Sequence, residues 1–145
     1  MTPNDLAVTA DDLAGLSRRG CVRFAVACAS RCAGHARATM AQEAFAAARA
    51  WLRCPCERHG DDVARAVRGY RGGGTDDRRA AIYAALSAIV TAYADHAARA
   101  AALAAEGAVW VRDDARTRVG ADAARAAERQ WQARTLAIVR LGDVS

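Results

Sequence analysis

Along most of the chain, apolar residues recur at steps of three and four, the period of a helix with one buried side. Cys21, Phe24, Ala25, Cys28, Cys32 and His35 share one stripe, predicting a helix from about Cys21 to Ala33. Thr9, with Asp12 three positions later, has the pattern that opens a first turn. That turn either runs on or is restarted at Ser17, because Gly15 and Gly20 weaken the segment. Thr39 and Gln42 resemble a capping box for a second helix, with Ala41, Phe45, Ala48 and Leu52 inward, Trp51 alongside and Pro55 as its stop. The Cys54-Pro55-Cys56 segment reads as a loop leading to a third helix, which Asp61-Asp62 would open and which would end near Tyr70.

The longest predicted helix runs from Thr75 to Glu106, with Gly107 as its end. Ile82, Leu86, Ile89, Tyr93, His96, Ala100 and Leu103 alternate steps of four and three, a coiled-coil-like seam that could bury itself within one subunit or pair two in a homodimer. Val109-Trp110-Val111 is the single strand-like stretch. A last helix, opened by Asp113-Asp114, is expected to reach Leu141 with Ala124, Ala127, Trp131, Ile138 and Leu141 on its apolar side. The fold expected is all-α: an antiparallel bundle of about five helices around one long central helix. Residues 1–8 read as a tail and 9–142 as a single domain.

Composition reinforces this picture. Alanine, the strongest helix former, fills 40 of the 145 positions, and there are only two prolines. All 21 basic residues are arginine, and the net charge is +5. These arginines are interleaved with acidic pairs such as Asp11-Asp12, Asp61-Asp62, Asp76-Asp77 and Asp113-Asp114. The pattern fits a solvated helical surface better than a nucleic-acid-binding arm. No aromatic series alternates with the arginines, as a base-stacking platform requires. Gly72-Gly73-Gly74 lacks the Gly-Lys-Ser/Thr of a phosphate loop. The N-terminal residues show no basic segment followed by an apolar one, and no run reaches the ~20 apolar residues of a membrane span. The expected location is the cytoplasm, with the five cysteines reduced and no membrane partner.

Two groups of residues could hold a soft metal: Cys28, Cys32 and His35 on one helical face, and Cys54, Cys56 and His59. Neither supplies the four ligands of a closed zinc site, and cysteine commonly serves as a small buried hydrophobe, so no metal or other cofactor is expected. Cys56 and His59 could form a nucleophile and base, but no third group to orient them is apparent. The four glutamates include no Glu-x-x-His pair, which argues against a di-iron bundle. His96 beside Asp95 reads as a polar contact within the bundle more readily than as an acid–base pair. No enzymatic activity is expected.

Three segments taken together carry a family resemblance: Ala44-Phe-Ala-Ala-Ala-Arg-Ala-Trp51; Ala80-Ala-Ile-Tyr-Ala with Ile89-Val-Thr-Ala-Tyr-Ala-Asp-His-Ala97; and Ala127-Glu-Arg-Gln-Trp-Gln-Ala-Arg-Thr-Leu136. In order and spacing they resemble the immunity proteins of bacterial polymorphic toxin systems, specifically the Imm-five-like helical domain, from about Ser17 to Gly142. The chain departs from that pattern at Tyr93, where the family often has a histidine. The resemblance implies a non-enzymatic inhibitor that binds a cognate toxin, with Arg49, Trp51, Asp95, His96 and Trp131 as candidate contact residues. The basic charge then implies an acidic toxin face or a toxin that does not act on nucleic acid. The alternatives are a helical regulatory or nucleic-acid-binding module and a cysteine/histidine metal-binding bundle.

Overall fold

The computed structural model describes residues 8–31, 39–68, 97–111 and 118–143, and every regular element among them is an α-helix. In chain order these are α1 (Ala10–Leu13), α2 (Arg18–Ser30), α3 (Thr39–Arg53), α4 (Glu57–Arg68), α5 (Ala97–Val111) and α6 (Arg118–Gly142). No helix among the described residues is long and apolar enough to cross a membrane. The expected Thr75–Glu106 helix lies outside the described residues up to position 96.

Thr9 caps α1 as its spacing predicts. Its hydroxyl accepts from the Asp12 amide, while the Asp12 carboxylate accepts from the Thr9 amide at 2.9 Å, completing a capping box. Leu13, fully buried, anchors this single turn to the core. The chain then turns, and Ser17 restarts the helix, its Oγ accepting from the Gly20 amide at 3.0 Å.

Helix α2 is the centre of the described bundle. It packs most extensively on α5 and also meets α3 and α6. Cys21, Phe24, Ala25 and Cys28 are buried, as their stripe predicts, and Val22, Val26 and Ala29 join them. Facing α2, α5 contributes a nearly all-alanine surface: Ala101, Ala104, Ala105 and Ala108 are buried in the same core. Small side chains let two backbones approach closely, so a well-packed contact forms with few large residues.

Helices α2 and α6 run antiparallel. The Asp143 carboxylate, just past the end of α6, accepts from the Ser17 amide (2.8 Å) and the Ser17 hydroxyl at the start of α2. The far end of α2 is held by its C-cap residue Arg31, whose Nε and Nη2 reach the Glu128 carboxylate of α6 at 2.9 Å. The Ser17 hydroxyl and amide hold the Asp143 carboxyl below the usual carboxylate range. Gly20, expected to weaken α2, has a positive role in this contact: a Cβ there would lie 2.6 Å from Asp143 Oδ1. Only glycine leaves room for the carboxylate against the first turn.

Several expectations need correction. Helix α4 begins at Glu57, four residues before Asp61, because Cys56 already serves as its cap. Helix α5 continues through Gly107 to Val111, so Val109-Trp110-Val111 is helical. Of the two seam positions described, Ala100 is buried but Leu103 is 43% exposed. The alanine stripe beside it takes the core contact instead. The apolar side assigned to the last helix is only partly inward: Trp131 packs against the core and Ala124 is half-buried, but Ile138 and Leu141 are 68% and 90% exposed, and Ala127 is exposed too. The buried side of α6 carries Glu128, Arg129, Gln132, Leu136 and Val139.

Candidate functional site

Among the described residues, the densest group of chemically competent side chains lies at the α3–α4 junction. Proline has no N–H and restricts the residue before it, so Pro55 ends α3 at Arg53. The Cys54 amide makes the last helical bond, to Ala50 O at 3.0 Å, and the Gly60 amide makes the first of α4, to Cys56 O at 3.0 Å. Between them the Cys56 amide bonds back to Cys54 O at 2.8 Å, folding the chain tightly over Pro55. Cys56 is thereby the N-cap of α4 and His59 its third helical residue, the two positions whose side chains meet in a capping box.

The His59 ring does fold back. Its Nδ1 lies 2.7 Å from Cys54 O and 3.3 Å from Cys56 Sγ. A carbonyl cannot donate, so in this geometry Nδ1 carries a proton and directs it at the carbonyl. The sulfurs of Cys54 and Cys56 and a ring nitrogen of His59 all lie within 4.8 Å of one another. Cys54 is exposed, and Cys56 and His59 are half-buried. Backbone amides at the start of α4, chiefly that of His59, lower the Cys56 thiol's pKa, and the Cys54 thiol, hydrogen-bonded to Cys56, is pushed up. His59 was expected in a loop. Its place in the first turn of α4 is what aims the ring at the sulfurs.

The second cysteine group is not brought together among the described residues. Cys28 is fully buried on α2, while Cys32 and His35 lie outside the described residues. Cys21 is also buried, and burial, aided by the Asp143 charge, pushes its thiol up.

The candidate contact residues divide in the same way. Trp51 is 8% exposed and belongs to the core, with the Arg18 guanidinium 5.8 Å from its ring centroid. Arg49 is exposed on α3 and donates to Ser30 Oγ at 3.2 Å. Trp131 is half-buried on α6, and the Arg31 guanidinium stacks over its ring at 4.1 Å. Asp95 and His96 lie outside the described residues. Periodicity did not reveal Arg31 and Glu128, which fix that stack. The only sequence signal would have been an arginine just past the apolar stripe of α2 and a glutamate one turn before Trp131.

No family model, no curated protein and no solved structure matches this chain.

Proposed function

We propose that the protein is a non-enzymatic immunity protein, acting in the cytoplasm by binding and neutralising a cognate bacterial toxin. The resemblance of three of its segments, in order and spacing, to the Imm-five-like domain supports this reading. One structural observation supports it further: the Arg31–Trp131 stack, with Arg49 and Ser30 at the same end of α2. Interface hot spots are enriched in tryptophan and arginine held in place before the partner arrives. Here Glu128, 1% exposed, grips Arg31 through two nitrogens, and Arg31 in turn fixes the Trp131 ring. Such a preorganised arginine–tryptophan pair, on a chain of net charge +5, suits an acidic toxin surface, where charge complementarity speeds encounter and selects the partner.

The test is co-expression with the product of the adjacent upstream gene, scored by growth and by affinity of the purified pair. The expected result is rescue of growth and a stable complex. Trp131→Ala should weaken that complex by roughly 30-fold or more, the ~2 kcal/mol of a hot spot, while the helical circular dichroism of the free protein stays intact. No complex and no rescue by the unaltered protein would overturn the proposal.

A further inference from the structure

We infer that Cys54, Cys56 and His59 form a zinc-class metal site with three protein ligands and one open position. The inference is independent of toxin binding.

The argument begins with what capping leaves unexplained. A Cys56–His59 pair at the cap and third positions of α4 could exist to finish a helix end. Cys54 lends the cap only its carbonyl, and its thiol is hydrogen-bonded to the Cys56 thiol rather than to the helix end. Yet its thiol is on the same side of the turn, within 4.8 Å of both other ligand atoms. Three soft donors thus converge over six residues, positioned by a proline turn and a helix start, with no long-range contact required.

The spacing also suits the ion. Zinc–sulfur bonds of about 2.3 Å and zinc–nitrogen bonds of about 2.0–2.1 Å in tetrahedral geometry put sulfur and nitrogen ligands about 3.5 Å apart. The Cys56 Sγ to His59 Nδ1 distance is 3.3 Å. Two sulfurs and an imidazole nitrogen are the donors that zinc and its spectroscopic substitute cobalt(II) accept. Exposure of Cys54 gives an ion a way in and leaves the fourth position to water. Binding requires one rearrangement: the Nδ1 proton now directed at Cys54 O must leave that nitrogen, and the thiols must ionise, so protons are released as metal enters.

The experiment is titration of the full chain, kept reduced by a phosphine, with cobalt(II) and then zinc(II). The expected result is one equivalent of cobalt with a near-ultraviolet thiolate-to-metal charge-transfer band and the strong visible bands of tetrahedral coordination, both abolished by zinc. Cys54→Ser/Cys56→Ser should lose the charge-transfer band. His59→Ala should keep it but bind cobalt about 100-fold more weakly, a ligand loss being at least as costly as loss of an outer-shell partner. Cys32→Ser/His35→Ala should bind as the parent does. The inference is overturned if the parent shows no thiolate band, or if the band survives in Cys54→Ser/Cys56→Ser. Positions 54, 56 and 59 are exposed or half-buried, and unchanged circular dichroism checks that each variant folds.

Discussion

Helices α2 and α6 lie side by side, yet they bury different kinds of surface. In α2 the buried residues are apolar or small, from Cys21 and Phe24 to Cys28 and Ala29. In α6 the buried set includes Glu128, Arg129 and Gln132, while Ile138 and Leu141 face outward. The difference follows from what each helix meets. Helix α2 meets α3, α5 and α6, so most of its residues are buried and must accept apolar neighbours. Helix α6 meets the polar end of α2 and a backbone carbonyl of α5: Arg31 binds Glu128, and Gln132 Nε2 donates to Ala105 O at 2.9 Å. Buried polar groups are tolerated where such partners wait. Arg129 Nε is the exception among the described residues, being buried without a hydrogen-bond partner.

Three variants test this contrast. The largest effect is expected in α2, where Phe24→Ala opens a cavity at a fully buried site and should cost about 3–5 kcal/mol in chemical denaturation. A loss below ~1 kcal/mol would mean that α2 is not the packed centre. Arg31→Met comes next. It keeps much of the stem but removes both the paired bonds to Glu128 and the cation over Trp131, for an expected loss of about 2–3 kcal/mol. A neutral result would show that the polar contact between α2 and α6 contributes little to stability. The smallest effect belongs to Ile138→Gln with Leu141→Gln. Both positions are exposed, and urea midpoints should shift by no more than ~0.5 kcal/mol equivalent for each. A loss as large as that of Phe24→Ala would show that this face is covered in the folded protein.

The contrast between the two helices also marks how far the sequence could be read. The α2 stripe was legible because its apolar side and its buried side coincide. So was the Thr9 capping box, whose two partners are three residues apart. On α6 the apolar residues were visible, but a hydrophobic pattern ranks Glu128 and Gln132 as solvent-facing unless their partners on α2 and α5 are known. The candidate metal site was partly legible: Cys54, Cys56 and His59 are close in the chain and were grouped on that basis. Their convergence depends on α4 starting at Glu57, and a cysteine at the N-cap is a weaker start signal than the Asp61-Asp62 pair downstream.

The sequence by itself determined the helical class, through alanine content, scarce proline and three-to-four spacing. It also determined where α3 must stop and where α1 must begin, because caps and proline act through bonds to residues a few positions away; it left open whether the helix restarts at Ser17. Only the tertiary structure decided which helix lies at the centre, which face of α6 is inside, and why Gly20 stands against Asp143. Those outcomes depend on contacts between residues far apart in the chain, and the local periodicity of a single helix carries no information about the chemistry of its neighbours.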